Sequence, residues 1–146
     1  MSQAIAGLQH QATCVMIGSR AILIEGPPGS GKSSLALALI DRGAILVGDD
    51  GVLLRAEDGR VLASPPTAIA GKLEVRNLGI IEVPSVAGAI VALVLALDPR
   101  APRFIAAADT AVRAGVPLPL VRLYPDTPVL GLRAEVALRQ FGLPDV

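Results

Sequence analysis

The chain has 146 residues, no formal net charge, and 52% apolar against 18% charged residues. A chain of this length fits one domain, able to bury about 70% of its unfolded surface. Balanced charge argues against a broad electrostatic face for nucleic acid or an anionic membrane. Aromatic residues are only Phe104, Phe141 and Tyr124. The core is therefore aliphatic, as expected for strands covered on both faces. The lone Cys14 has no disulfide partner and reads as a buried thiol, which points to a reducing compartment. The start of the chain lacks a basic-then-apolar leader, and the longest apolar run, 86–97, is too short to span a bilayer. A soluble, cytoplasmic protein is expected.

Residues 1–9 are weakly patterned, a ragged start or an extra strand. A strand is predicted over 11–17, with Gly18-Ser19-Arg20 turning the chain into a second strand, 21–25. A helix follows over 32–42, apolar around most of its circumference, with Gly43 ending it. The unalternating run Ala44-Ile45-Leu46-Val47 predicts a parallel, centrally placed strand. Glu57-Asp58-Gly59 predicts a hairpin between 52–54 and 60–63, and Pro65-Pro66 breaks the chain. Residues 68–76 are a short strand or a loop. Further strands are predicted at 79–83 and, centrally, at 89–97. A short helix is expected over 104–114, stopped by Gly115, with Asp109 and Arg113 paired one turn apart. Residues 118–124 read as a proline-punctuated edge strand, and 129–141 as a closing helix stopped by Gly142. No internal repeat, low-complexity tract or linker divides the chain.

The most informative stretch is Gly26-Pro27-Pro28-Gly29-Ser30-Gly31-Lys32-Ser33. It fits G-x-x-x-x-G-K-[ST] with a strand before it and a helix after it, the context the motif requires. Glycines let the backbone curl its N–H groups into one concavity, and the helix N-terminus adds partial positive charge. Lys32 can reach outer phosphates, and the Ser33 hydroxyl can join a Mg²⁺ shell. An ordinary Gly/Pro turn would not be expected to combine all of these features. ATP and Mg²⁺ are the expected ligands.

A phosphate loop needs an acid at a neighbouring strand end. Asp49-Asp50 follows one apolar run and Asp98 follows another; periodicity does not choose between them. Adjacent aspartates at a strand end project to opposite sides, so one can face a phosphate while the other holds a neighbouring arginine. Each pattern also fits a plain turn. In Leu73-Glu74-Val75-Arg76, the carboxylate and guanidinium share one face of an extended segment. They are either a surface pair or a metal ligand with a charge-neutralising partner.

The order of these features resembles the catalytic domain of HPr kinase/phosphorylase. The family has a similar phosphate loop, a strand ending in Asp-Asp like 44–50, and a signature like Leu73-Glu74-Val75-Arg76-Asn77-Leu78-Gly79-Ile80-Ile81. The resemblance covers roughly residues 10–85. It implies an α/β P-loop domain with a mixed sheet flanked by helices, similar in core to phosphoenolpyruvate carboxykinase. It also implies a serine protein kinase that phosphorylates HPr, the phosphocarrier of the sugar phosphotransferase system, and in many members the reverse phosphorolysis. On this resemblance Asp49 is the base, Lys32 contacts phosphate, Ser33 and Glu74 hold Mg²⁺, and Asp50 and Arg76 support them. A hexameric homo-oligomer is implied, in a truncated, catalytic-domain-only form.

Departures are specific. Asn77 stands where the family usually has glycine, and Ser34 where many members have glutamate. The family's site histidine aligns with Gln11; the chain's only histidine, His10, lies one residue earlier, and a shift in the turn at 18–20 would restore it to the site. The family's late arginine is not assignable among Arg122, Arg133 and Arg139. Two other functions remain compatible with the loop alone: an ATP-binding regulatory module, and a small-molecule P-loop kinase, for which an arginine-rich lid is missing.

Overall fold

A computed structural model describes residues 7–67 and 70–145. The strands are β1 (Leu8–His10), β2 (Thr13–Ile17), β3 (Arg20–Glu25), β4 (Ile45–Gly48), β5 (Val52–Glu57), β6 (Arg60–Ser64), β7 (Lys72–Val75), β8 (Gly79–Glu82), β9 (Ala89–Leu97), β10 (Asp109–Arg113) and β11 (Val116–Leu123). The helices are α1 (Lys32–Asp41) and α2 (Leu130–Phe141). The extra strand anticipated near the N-terminus is β1; residues 1–6 lie outside the described residues, as do Ala68 and Ile69.

β9 is the hub of a nine-stranded mixed sheet ordered β1-β5-β6-β9-β3-β2-β4, with β11 also on β9 and β10 on β11. It changes partners along its length. Ala89 and Ile90 pair antiparallel with β6, Val91 to Ala96 pair parallel with β3, and Val94 to Leu97 pair parallel with β11. Its unbroken apolar sequence fits this, because both faces are covered. One core joins Ile22, Ile24, Leu93 and Leu95 to Leu35 and Leu39 of α1 and to Ala134 and Leu138 of α2. The second joins Leu23, Val91 and Val94 to Val52, Leu54 and Val61 of the β5–β6 hairpin. Both helices therefore pack into the first core, and the second face is covered by the sheet curling back on itself. The expectation of helices flanking the sheet is corrected to that extent. Cys14 is fully buried in the second core, and burial pushes its thiol pKa up.

Local chemistry explains the turns. Asp58 and Gly59 both take positive φ (54° and 77°), the two-residue geometry that suits the β5–β6 twist. α1 ends as anticipated at Gly43 (φ 109°): its N–H donates to the Ile40 carbonyl, and that of Ala44 to the Leu39 carbonyl.

Three expectations fail. Ala44–Val47 was expected to be central and parallel; β4 is instead a sheet-edge strand antiparallel to β2. Its run is apolar because Leu46 enters the first core and Val47 the second. Continuous hydrophobicity reported burial on two faces, not strand direction. The helix expected over 104–114 is absent; β10 occupies Asp109–Arg113, and Gly115 forms a hairpin tip with Ala114 (φ 78° and 50°). Asp109 and Arg113 do not pair with each other: Asp109 meets Arg122, and Arg113 meets Glu25. β11 is not an edge strand, since it lies between β10 and β9. Pro117 and Pro119 are tolerated because pairing with β9 begins only at Leu120.

Leu95 is fully buried on the hub strand. Leu95→Ala is expected to cost about 2–5 kcal/mol in urea unfolding, with a lowered midpoint and an unchanged slope.

Candidate functional site

The loop 26–31 leaves the C-terminal end of β3 and enters α1. Gly31 adopts φ 103°, a left-handed conformation that a side chain disfavours, and it accepts the first helical hydrogen bond, from Leu35 N–H at 2.9 Å. No side chain caps α1, and its first turn holds no acid. Uncapped N–H groups and an uncompensated helix dipole favour an anion at this end. Gly31, Lys32, Ser33 and Ser34 line a cleft of about 220 Å³ whose other walls include Gln11, Asp50, Glu74 and Arg76. The Lys32 ammonium donates to the loop's own carbonyls, Gly26 O at 2.8 Å and Pro27 O at 3.3 Å. Ser30 Oγ is buried without a hydrogen-bond partner in the same loop.

Asp49 ties the cleft together. Its Oδ1 accepts the Ser33 hydroxyl at 2.6 Å and the Thr13 hydroxyl at 3.1 Å. Its Oδ2 accepts the Glu74 backbone N–H at 2.9 Å. Thr13, the one buried polar residue among those described, also accepts the Asp50 N–H at 3.2 Å. The Asp-Asp turn depends on Gly48, where a Cβ would lie 2.4 Å from the Gly51 carbonyl oxygen. Asp50 follows with φ 61°, a conformation that aspartate tolerates better than most side chains, and it lines the cleft while Asp49 is half-buried behind it. The two carboxylates do diverge, but neither forms an ion pair with an arginine among the described residues; hydroxyl and amide donors hold Asp49 instead.

β7 and β8 form a separate two-stranded ribbon; Glu74 on β7 and Arg76 in the turn that follows both line the cleft, so the turn and not a shared strand face brings the arginine there. Asp98 plays a different part: its carboxylate accepts the Arg100 N–H at 2.8 Å and its carbonyl accepts the Ala101 N–H, an Asp-Pro turn away from the cleft. Gln11 lines the cleft and His10 does not. His10 Nε2 lies 2.6 Å from Glu25 Oε2. None of Arg122, Arg133 and Arg139 lines the cleft.

Sequence reasoning missed Glu25, Arg113 and Thr13. Arg113 donates from Nε to Glu25 Oε2 at 2.9 Å and from a terminal nitrogen to Oε1 at 2.7 Å, and His10 Nε2 shares the Oε2 atom. This joins β10 and β1 to the last residue before the loop 26–31. The partners are far apart in sequence, so no local pattern announces them; only an acid at the end of an apolar strand hints at a role. Burial works against the Glu25 charge, but the Arg113 guanidinium and the His10 ring outweigh it and hold the carboxyl below its ordinary value of 4.5.

A depressed folded-state pKa contributes stability above the unfolded value, lost as pH falls through the folded one. Acidification below 4.5 is therefore expected to destabilise the native protein through Glu25. Glu25→Gln is expected to lose about 1–3 kcal/mol at neutral pH and to flatten that acid limb. Urea titrations across pH measure both; parallel curves for the two proteins would remove Glu25 from the account.

Comparison with known proteins gives consistent matches. Residues 4–93 match the family model of the HPr serine kinase C-terminal domain. The chain is 52% identical over 67 residues to the HPr kinase/phosphorylase of Clostridium tetani, covering 46% of this chain and 22% of that protein. It is 49% identical over 69 residues to the Listeria monocytogenes protein of the same name, covering 47% and 22%. These alignments thus span only about a fifth of the curated relatives. The solved structure of the Hpr(Ser) kinase/phosphatase from Coxiella burnetii superposes with a TM-score of 0.80 at 30% identity, covering 90% of this chain and 88% of that one.

Proposed function

The chain belongs to the HPr serine kinase C-terminal domain family, and we propose that it transfers phosphate from ATP to a serine hydroxyl of an HPr-type phosphocarrier. The supporting observation is the meeting at Asp49 of three separate stretches, the loop through Ser33, the strand-end aspartates and the ribbon through Glu74. A nucleotide-binding loop alone does not require that convergence; phosphoryl transfer does, because positioning and charge stabilisation supply most of its catalysis.

In this reading Gly26–Ser33 is an ATP phosphate loop, in a P-loop core similar to that of phosphoenolpyruvate carboxykinase. The uncapped amides of α1 receive phosphate oxygens, and Lys32 and Arg76 offset their charge. Lys32 exchanges its carbonyl partners for phosphate. The hard-oxygen donors Ser33 and Glu74 fit Mg²⁺, which is commonly held by one or two carboxylates together with substrate phosphates. When bound, the ion neutralises charge developing on the phosphates. Asp49 accepts the proton of the attacking hydroxyl at Oδ2, which receives only the Glu74 N–H, while the Ser33 and Thr13 hydroxyls hold Oδ1. Asp50, on the cleft wall, supports it.

Gln11 occupies the cleft position where the resemblance expects histidine, and a neutral amide does not exchange protons near pH 7. With His10 committed to Glu25 and no late arginine on the cleft wall, forward transfer outweighs phosphorolysis. The same reading makes the protein a cytoplasmic homo-oligomer; among the described residues no helix is long and apolar enough to cross a membrane.

Incubation with Mg·ATP and HPr, followed by intact mass and phosphosite mapping, is expected to give phosphoserine. ATP binding without transfer would leave a regulatory module, and transfer to a small metabolite would leave a small-molecule kinase. Asp49→Asn is expected to lower transfer by about 10²–10⁴-fold, and Asp50→Asn by less than about tenfold. The reverse order would assign the base to Asp50. Phosphorolysis of phospho-HPr by inorganic phosphate is expected to run far below the forward rate, and comparable rates would refute the role given to Gln11.

A further inference from the structure

Away from the cleft at α1, the loop after β9, the end of β11 and the outer face of α2 border two adjoining open grooves. One, about 380 Å³, is walled largely by apolar side chains, including Ile105, Val121, Val136 and Phe141. The other, about 450 Å³, reaches Tyr124. Arg103, Arg122 and Arg133 line both, so an apolar trough opens into a basic bay through a shared wall of guanidiniums. Arg122 is held by Asp109. Arg103 and Arg133 have no acidic partner among the described residues. Phe104, 83% exposed, stands at the rim, and Leu132 and Val136 lie one turn apart on the solvent side of α2.

We infer that this groove binds a small amphipathic anion, a carboxylate or phosphate monoester carried on an apolar body. Both halves of that description come from the walls. A purely apolar ligand would desolvate the guanidiniums without pairing them, which is costly. A bare anion would leave the trough uncovered. The cavity sizes fall in the range typical of small-molecule sites, roughly 300–1,000 Å³. A two-fold copy of the same face would bring two sets of arginines together, so like-charge repulsion opposes self-association here. The groove shares no residue with the cleft at α1.

The test uses the full chain, isotope-labelled, titrated with decanoate below its micelle concentration. Saturable amide shifts are expected at Ile105, Val136, Ala137 and Phe141. Decanol is expected to bind at least about tenfold more weakly, a difference of about 1.4 kcal/mol, and inorganic phosphate should leave the trough unshifted. Arg103→Ala with Arg133→Ala should weaken decanoate by a similar factor at an unchanged melting temperature. Val136→Asp should abolish its binding. Equal binding of decanol and decanoate, or shifts confined to the phosphate loop, would overturn the inference. So would self-association without decanoate that Val136→Asp removes, since a second copy would then cover the groove. Sedimentation with phosphatidylglycerol vesicles in the absence of decanoate binding would overturn it as well, and assign the face to a membrane.

Discussion

The fold of the cleft depends on where one carboxylate finds its donors. Asp49 is half-buried, and a half-buried carboxylate is costly unless its lone pairs are filled. Two hydroxyls and one backbone N–H occupy three of the roughly four sites, and each donor comes from a different part of the chain. Ser33 fixes the first turn of α1, Thr13 fixes β2, and the Glu74 amide fixes the first strand of the ribbon. Losing any one would leave Asp49 undersatisfied, so the cost is felt at all three elements. The phosphate loop, the acidic turn and the ribbon are in this sense one structure.

Glu25 does for the base of the loop what Asp49 does for its mouth. The β10–β11 hairpin and β1 are remote in sequence, yet Arg113 and His10 converge on this one acid beside Gly26. A bidentate guanidinium–carboxylate pair is geometrically demanding. It therefore specifies where the hairpin tip lies more sharply than the apolar contacts of Leu118 in the second core. The His10–Glu25 contact occupies the Nε2 of the only histidine, while Gln11, just past the end of β1, lines both the cleft and the adjoining cavity that His10 also lines.

What was legible in the sequence was whatever has a short-range cause. The loop motif, the Asp58-Gly59 and Gly18-Ser19 turns, α1 with its Gly43 stop, and α2 all obey local rules of φ and hydrophobic period. The strand β9 was legible as central because burial on both faces leaves an unbroken apolar run. The failures were non-local. Ala44–Val47 carries the same signature at a sheet edge, since the curled β5–β6 limb covers the face that solvent would otherwise reach. Residues 109–113 lack a decisive period, and Gly115 ends a helix or turns a hairpin equally well. Thr13 looked like one more strand residue, and its value appears only when Asp49 is brought across to it.

A chain with no net charge can still offer a polyanion local positive charge, and distance decides how strongly each group is felt. At an effective dielectric near 20, unit charges about 4 Å apart interact by about 4 kcal/mol. Beyond a Debye length of about 8 Å, exposed charges are largely screened. Lys32, Arg76 and the N-terminus of α1 bring positive charge to the cleft. Asp50 and Glu74 line the same cleft, and Asp49 lies behind it, 2.6 Å from the Ser33 hydroxyl. Their closeness works against phosphate binding, so they are retained in the cleft at an electrostatic cost. Hydrogen bonds from Thr13 and Ser33 lower that cost for Asp49 by spreading its charge over donors already in place. An acid kept beside the uncapped end of a helix that favours anions is tolerable only where such donors are already in place.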